Sequence, residues 1–255
     1  MPAEPLAVSE DAVLGGRLVL RQPLRGHRVG HDAILLAAAT PARAGEHAVE
    51  LGSGVGGAGL ALARRVEGLA VTMVEIDPVL AELGRVNAEA NGFAGRVRSV
   101  CLDVAATAVA FVAAGLAPGS ADAVLMNPPF NDRQNPSPEP GRRLARVASP
   151  ETLPQWLRTA ARLLRPSGTV TLIWRGDGVA DVIAALGAGF GAVSLIPIHA
   201  KPGAPAVRVV ARAIKGSRAP LVLLPGLILA DAGGKPTAQA EAILREGAAL
   251  SLVEA

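Results

Sequence analysis

The residues of this chain with the most specific chemistry are Asn127-Pro128-Pro129-Phe130. Proline has a restricted φ and no N–H group, so two in succession set the backbone direction and leave the Pro128 carbonyl free to accept a hydrogen bond. The side-chain oxygen of Asn127 is a second acceptor. A planar amino group would satisfy both acceptors, and the Phe130 ring could stack on the heterocycle that carries it. A rigid turn after a strand would explain the prolines but not their two neighbours.

A glycine-rich turn follows an apolar run at residues 50–60, ELGSGVGGAGL. Glycines allow tight turns and close approach to a ligand, and the helix that follows offers free N–H groups. Read literally, Gly52, Gly54 and Gly57 also satisfy the dinucleotide fingerprint, so the turn alone predicts a nucleotide-like ligand without choosing among nucleoside binders. A glycine turn that serves only helix–strand packing is the alternative. The residues of this turn that we assign to cofactor binding are Gly52, Ser53, Gly54 and Gly56.

Four polar side chains end successive apolar runs: Glu50, Glu75, Asp103 and Asn127. The carboxyl ends of neighbouring strands line one crevice in an open parallel sheet, where ligands bind. One acidic residue at a strand end could be a helix cap, but four in series favour a shared site.

An adenosine ligand would give each of these acids a role. Glu75 can accept both ribose hydroxyls, Ile76 can lie flat on the adenine, and Asp103 can accept from its exocyclic amine. Glu50 could hold an ammonium group, which a dinucleotide lacks. Asp77, followed by proline, is better explained as a helix N-cap.

The elements that must position these residues alternate between strand and helix, which predicts an α/β fold with a parallel sheet covered on both faces. The predicted strands are 47–51, 70–76, 97–103, 121–127, 168–174, 191–198 and 207–214. The predicted helices are 58–66, 78–91, 153–164 and 179–189. The tail reads as strand material followed by a helix capped by Thr237.

We divide the chain into an N-terminal extension, residues 1–40, and a main domain, residues 41–255. In the extension we expect a loose tail up to about Asp11, a short edge hairpin around residues 15–23, and a helix with Asp32 as its N-cap. The long proline-containing segment 131–150 follows the fourth strand and is expected to be a functional or mobile loop.

Composition excludes several classes of protein. Half of the 255 residues are hydrophobic, which excludes disorder as the main state. A single cysteine, Cys101, excludes an internal disulfide, and no Cys/His spacing resembles a zinc site, so no metal is expected. No apolar run has the length of a bilayer span, and the start lacks a signal-peptide pattern. We therefore expect a cytoplasmic protein without a membrane segment.

The motifs ELGSGVG, VEID and NPPF, with Asp103 between the last two, resemble class I S-adenosylmethionine-dependent methyltransferases of the branch that methylates amino nitrogens. Residues 15–39 and 215–245 are similar to bacterial tRNA1(Val) adenine-37 N6-methyltransferases. Two departures are Phe130, where many members have tyrosine, and His27, where tyrosine is also common. Stacking survives both changes, whereas a hydroxyl contact would be lost.

This resemblance implies a Rossmann-like, doubly wound, mostly parallel seven-stranded sheet with a small N-terminal extension. It implies S-adenosylmethionine as cofactor, an adenine N6 amine in RNA, with tRNA expected, as acceptor, and Asn127-Pro128-Pro129-Phe130 as the catalytic residues. In the resembling family the region of Asp32 also closes over the cofactor, so we include Asp32 among the cofactor-binding residues.

An RNA partner would need phosphate contacts, and the sequence pI near 9.7 permits a polyanionic partner. A target adenine must also be unpaired or flipped out of its stack. The candidate phosphate contacts are Arg17, Arg21, Arg25, Arg28, Arg133, Arg142, Arg143, Arg146, Arg208, Arg212, Lys215 and Arg218.

Three other functions remain open at this stage. Enzymes of the NPPF type also methylate the side-chain amide of glutamine in release factors. The literal glycine spacing would suit an NAD(P)-dependent oxidoreductase, although its expected substrate domain is missing. An RNA-binding or chaperone protein that has kept the fold without catalysis is the third.

Overall fold

The apolar runs form a central sheet in the computed structural model, which describes residues 7–26, 28–130 and 150–250. All seven predicted strands are confirmed with small changes at their ends. They are β3 His47–Leu51, β4 Ala70–Glu75, β5 Val97–Cys101, β6 Ala121–Met126, β7 Leu164–Arg175, β8 Phe190–His199 and β9 Ala206–Lys215. Four further strands are β1 Val8–Val13, β2 Leu18–Pro23, β10 Val222–Leu223 and β11 Leu227–Ile228.

The strand order is β10-β8-β9-β7-β6-β3-β4-β5, with β11 also beside β8. Strands β3 to β7 run parallel, and β9 lies antiparallel between β7 and β8. The doubly wound, mostly parallel sheet of seven strands is therefore confirmed, and the two-residue strands β10 and β11 extend it. Because β3 has β4 on one side and β6 on the other, the direction of winding reverses there, and ligands bind at such a point.

Helices cover both faces of this sheet. They are α1 His31–Ala39, α2 Gly57–Arg65, α3 Pro78–Ala90, α4 Ala108–Ala113, α5 Thr152–Leu163, α6 Val179–Leu186 and α7 Ala238–Glu246. The four predicted helices of the alternating pattern are confirmed as α2, α3, α5 and α6, and the helices predicted at Asp32 and after Thr237 as α1 and α7. Helix α4 was not predicted, because it is one short stretch with Val109 and Val112 exposed, which gives no amphipathic pattern. Of the helices described, none combines the length and apolar character of a membrane span.

Each face of the sheet has its own hydrophobic core. Helices α1 and α2 pack on one face, where Leu36 and Leu62 are fully buried. Helices α4, α5 and α6 pack on the other face, around Phe111, Leu157 and Val182. Alternate side chains of each strand enter the two cores. Helix α2, which follows β3, and helix α5, which follows β6, lie on opposite faces of the sheet and so reach the ends of these neighbouring strands from opposite sides.

Two predicted helix caps are confirmed and one is wrong. The Asp77 carboxylate accepts hydrogen bonds from the first turn of α3, and Thr237 Oγ1 accepts from the first turn of α7. Helix α1 instead has Gly30 at its N-cap without a side-chain cap. Asp32 lies inside the first turn, where its carboxylate turns away from the helix to bind the Arg208 guanidinium.

The N-terminal extension is more ordered than the sequence predicts. Residues Val8–Val13 form β1 in an antiparallel hairpin with β2, so the expectation of a loose tail up to Asp11 is wrong for these residues. The alternation of exposed and half-buried side chains in β1 is that of an edge strand, and pairing with β2 satisfies backbone groups of β1. The hairpin around β2 is confirmed.

Two asparagines of α3 attach β2 to the rest of the molecule. The side-chain amide of Asn87 bonds both backbone groups of Arg21, and that of Asn91 bonds both backbone groups of Val19. Residues two apart on a strand edge thus match residues four apart on a helix face. Since Asn87 Nδ2 also donates to Val55 O at 3.1 Å, this contact connects the extension to the glycine turn. The division into residues 1–40 and 41–255 stays a prediction.

Candidate functional site

The structure brings the predicted strand-end residues to one edge of the sheet. Leu51 pairs with Val74 on one side and with Met126 on the other. The residues that follow these three, namely Gly52, Glu75 and Asn127, therefore leave adjacent strands at the same level. Asp103 follows the end of β5, and Glu50 lies one position before the end of β3.

The glycine turn has one closed side and one open side. Gly52, Gly54 and Gly56 have φ of 70°, 55° and 92°, values that favour glycine. A Cβ on Gly52 would lie 2.3 Å from the Trp156 ring, so this aromatic side chain of α5 packs directly on the turn. A Cβ on Gly54 would meet no atom of the described residues within 4 Å. The turn is thus a cradle with room for a ligand at Gly54.

Glu75 is held in place at the rim of this cradle. Its side chain is only 6% exposed; Oε2 accepts from Gly54 N at 2.7 Å and Oε1 from Asp77 N at 3.0 Å. Next to it, Ile76 is 44% exposed and presents an apolar side chain to the solvent. Asp103 is exposed and its Oδ1 accepts from Ala105 N at 2.8 Å. The ends of β4 and β5 therefore carry a fixed carboxylate at Glu75, an apolar surface at Ile76 and an exposed acid at Asp103. An adenosine ligand would use these three groups.

Glu50 lies beneath the turn. It is 5% exposed, and its Oε2 accepts from Gly59 N at 2.7 Å in the first turn of α2. Burial raises the pKa of this carboxyl group to about 8, and the nearby Glu75 charge adds to the rise, while hydrogen bonds from Gly59 and Ala58 oppose it. Glu50 thus positions the start of α2. Its predicted contact with an ammonium group stays a prediction.

Asn127 presents an unused acceptor. Within the described parts of the chain, its buried Oδ1 has no hydrogen-bond partner. An unsatisfied buried polar group costs about 1–3 kcal/mol, so a donor that fills this position would be favoured. Pro128, the next residue, is buried. The buried hydroxyl of Ser53 in the glycine turn also lacks a partner among the residues described.

Phe130 is held between side chains that come from distant parts of the chain. Its ring centroid lies 5.4 Å from that of Trp174, with 67° between the planes. The Arg208 guanidinium carbon lies 5.2 Å from the Phe130 centroid, and Arg208 Nε lies 2.9 Å from Asp32 Oδ2. Asp32 therefore reaches the NPPF segment through Arg208; its predicted role in cofactor binding stays a prediction.

Sequence reasoning missed the aromatic side chains Trp156 and Trp174 and the contact of Arg208 with Phe130. Arg208 is the third residue of β9, and because β9 is antiparallel to β7, its first residues lie at the edge where β7 ends. Recognising that the last long strand reverses direction would have placed Arg208 at the site.

Most of the described candidates for phosphate contacts already bind groups of this chain. Arg21 pairs with Glu10, Arg28 with Asp11, and Arg208 with Asp32. Arg17 donates to Glu246 O, and Lys215 to Leu164 O. His27 and the four candidates Arg133, Arg142, Arg143 and Arg146 lie outside the described residues. Phosphate binding by these clusters stays a prediction.

Comparisons with known proteins agree with this geometry. A family model described as "Methyltransferase small domain" matches residues 27–196. A tRNA1(Val) (adenine(37)-N6)-methyltransferase of Porphyromonas gingivalis is 32% identical over 159 residues, and the match spans 61% of each chain, about three fifths of that relative's length. The enzyme of the same name from Bacteroides fragilis is 28% identical over 71% of this chain and 74% of its own.

Solved structures share the fold. A predicted O-methyltransferase from Agrobacterium tumefaciens has a TM-score of 0.72 and 34% identity, covering 86% of this chain and 97% of its own. The 16S rRNA N2 G1207 methyltransferase of T. thermophilus, solved with AdoMet and guanosine, has a TM-score of 0.53 at 22% identity and covers 84% of this chain and 46% of its own. The Rossmann-like class I architecture implied by the sequence motifs is confirmed.

Proposed function

The chain belongs to the methyltransferase small domain family, and from this premise we propose that it transfers a methyl group from S-adenosylmethionine to the N6 amine of an adenine in RNA, with tRNA as the expected substrate. The observation that carries the proposal is the buried Oδ1 of Asn127, which has no partner among the described residues and lies at the edge of the sheet that also holds the glycine turn. The names of the relatives from P. gingivalis and B. fragilis support the choice of acceptor.

The residues present fit the cofactor. The open space at Gly54 admits a ligand against the backbone, and the fixed carboxylate of Glu75 can accept from ribose hydroxyls. The exposed side chain of Ile76 offers a surface for adenine, and the Asp103 carboxylate an acceptor for its amine. When bound, S-adenosylmethionine supplies an electrophilic methyl group on a positively charged sulfur.

The chain's own contribution is to activate and orient the acceptor nitrogen. The lone pair of an exocyclic amine is delocalised into the purine, which makes the nitrogen a poor nucleophile. Asn127 Oδ1 and the Pro128 carbonyl oxygen accept hydrogen bonds from its two N–H groups, which shifts the nitrogen toward tetrahedral geometry and localises the lone pair. The Phe130 ring holds the base so that the nitrogen can approach in line. In well-oriented intramolecular reactions, positioning of this kind gives effective molarities of about 10⁵–10⁸ M. The methylated nitrogen then releases its extra proton to water, without a strong base from the protein.

The acceptor base must reach this pocket from outside the stack. An unpaired base in an RNA loop leaves its stack at the lowest cost, because no base pair has to open. We therefore expect transfer to folded tRNA with an accessible loop adenine, and little transfer to duplex RNA.

The decisive experiment incubates the full chain with methyl-labelled S-adenosylmethionine and either bulk tRNA or a release factor, followed by mass spectrometry of digested nucleosides. The expected result is N6-methyladenosine in tRNA from the wild type and at least about 100-fold slower formation from Asn127→Ala, while Arg64→Gln, a charge loss at the opposite end of α2, keeps the activity. Label in a release-factor glutamine would replace the RNA assignment with the protein one. Binding of NAD(P)H without binding of S-adenosylmethionine would overturn both.

The same digest separates nitrogen from oxygen acceptors, which matters because the A. tumefaciens relative is named as a predicted O-methyltransferase. A hydroxyl group has one proton and would satisfy only one of the two acceptors at Asn127-Pro128. Methylated ribose in place of methylated base would contradict the proposed role of these acceptors.

A further inference from the structure

Arg208 contacts both helix α1 and Phe130 of the NPPF segment, which are far apart in the sequence. Its Nε lies 2.9 Å from Asp32 Oδ2 in α1, and its guanidinium carbon lies 5.2 Å from the centre of the Phe130 ring. The side chains of Arg208 and Asp32 are 31% and 28% exposed, so the pair is largely shielded from water. Shielded contacts of a cation with a carboxylate and a ring are stronger than the same contacts on an open surface.

The position of Arg208 in the sheet shows why Asp32 matters. On the antiparallel pair β7 and β9, Arg208 lies directly opposite Arg175. Like charges at directly opposed positions destabilise a strand pair unless each is neutralised. Arg175 is paired with Asp177 at 3.0 Å, and Arg208 with Asp32. Without Asp32, the Arg208 guanidinium would lose the carboxylate that holds it over the ring.

The Phe130 ring itself needs support from outside its own segment. The two prolines before it orient the backbone but do not set the side-chain torsions of Phe130. Trp174 contacts the ring at 67° between planes, and Arg208 supplies a second contact. Together these two side chains restrict the orientation of the ring that faces the acceptor.

We propose that Arg208, held by Asp32, is a positioning residue for Phe130: it sets the orientation of the ring on which the methyl acceptor stacks. The inference rests on the proposed function, and it gives the first helix a role on the acceptor side of the site. Asp32 contributes to the orientation of the Phe130 ring through Arg208.

The first test needs no activity. In the free protein, the indole N–H signal of Trp174, identified as the signal that Trp174→Phe removes, reports the neighbouring Phe130 ring through its ring current. Arg208→Gln should shift this signal in the wild-type background and leave it unshifted in a Phe130→Leu background, while Arg64→Gln shifts it in neither. An equal shift with and without the Phe130 ring, or no shift at all, would overturn the proposal.

The second test is kinetic, with tRNA as acceptor. Arg208→Gln should lower kcat/KM for the acceptor about tenfold, comparable to the loss of a shielded cation–π contact, while the Kd for S-adenosylmethionine stays within about twofold. Asp32→Asn should lower it by a smaller factor. Because Asp32 acts on the ring through Arg208, the double variant should have the same kcat/KM as Arg208→Gln alone. Arg208→Lys keeps a cation for Asp32 but lacks the planar guanidinium, so its kcat/KM should lie between those of the wild type and Arg208→Gln.

Other outcomes would assign Arg208 differently. Losses that add in the double variant would mean that Asp32 acts independently of Arg208. A salt dependence of kcat/KM that weakens by about one unit of slope in Arg208→Gln would make Arg208 a phosphate contact and overturn the positioning role. If the wild type transfers no methyl group to any RNA, the proposed function fails, and the indole signal decides the positioning role alone.

Discussion

Glu50 Oε2 and the backbone nitrogen of Gly59 lie 2.7 Å apart, in a hydrogen bond that joins the end of β3 to the first turn of α2. A Cβ on residue 59 would lie 2.6 Å from the same oxygen, so this close approach requires glycine. The glycine turn between the two residues is therefore closed from beneath by a buried acid, which leaves its upper side for a ligand.

The first prediction concerns the pH dependence of stability. The pKa of Glu50 is about 8 in the folded chain, against a usual value of 4.5. Between these two values the unfolded chain has released the Glu50 proton while the folded chain keeps it, so this residue lowers the free energy of unfolding as pH rises through the window. Glu50→Gln keeps an acceptor oxygen for Gly59 and has no proton to lose. Urea unfolding at several pH values should show that the variant gains stability relative to the wild type across this window, and parallel curves would contradict the assigned burial cost.

The second prediction separates backbone strain from ligand binding. Gly54 and Gly45 have φ of 55° and 81°, and in the described parts of the chain a Cβ at either would meet no atom within 4 Å. Alanine at either position should therefore cost about 1 kcal/mol of stability from conformation alone. Only Gly54→Ala should also weaken the binding of S-adenosylmethionine, because only Gly54 lies in the proposed cradle. Calorimetric Kd values beside thermal unfolding of both variants test this, and equal affinities would remove Gly54 from the site.

Placement of the site was largely predictable, because the signals are local. An apolar run that ends in a polar residue marks a strand end, and parallel strands bring their ends to one edge, which gathered Glu75, Asp103 and Asn127 beside the glycine turn. The cap at Asp77 was equally predictable, since a carboxylate before a proline satisfies the first turn of a helix without reference to the rest of the fold.

The contacts that support the site were not predictable, because they depend on long-range packing. Asp32 is as suitable a cap as Asp77 by local pattern, yet its carboxylate binds Arg208, 176 positions away. The Trp156 ring of α5 packs on Gly52, a contact that no periodicity in either segment indicates. The order in β1 likewise depends on its partner strand β2.

The third prediction tests the acid after β5. Asp103 Oδ1 already accepts from Ala105 N, so binding the adenine amine would use its second oxygen. Asp103→Asn keeps one oxygen for the hydrogen bond from Ala105 N and replaces the other oxygen with an NH2 donor. This change should weaken the binding of S-adenosylmethionine about tenfold, which corresponds to the loss of about one charge-assisted hydrogen bond. Asp231→Asn is the matched control, because Asp231 Oδ1 accepts from Lys235 N in an exposed turn. If both variants bind as the wild type does, Asp103 does not contact the cofactor.

The last prediction separates catalysis from stability at Asn127. Because its Oδ1 is buried and has no partner among the described residues, Asn127→Ala removes an unsatisfied acceptor, so we expect no loss in the free energy of unfolding. The same change should lower kcat about 10²–10³-fold, the usual effect of removing one hydrogen-bonding group that acts on the transition state, while the Kd for S-adenosylmethionine changes by less than about twofold. Asn127→Asp keeps an acceptor oxygen and should retain more turnover than Asn127→Ala. Single-turnover rates, calorimetry and urea unfolding of the three proteins test this together. A destabilised Asn127→Ala protein with unchanged turnover would make Asn127 a packing residue and would remove the activation of the acceptor amine from the mechanism.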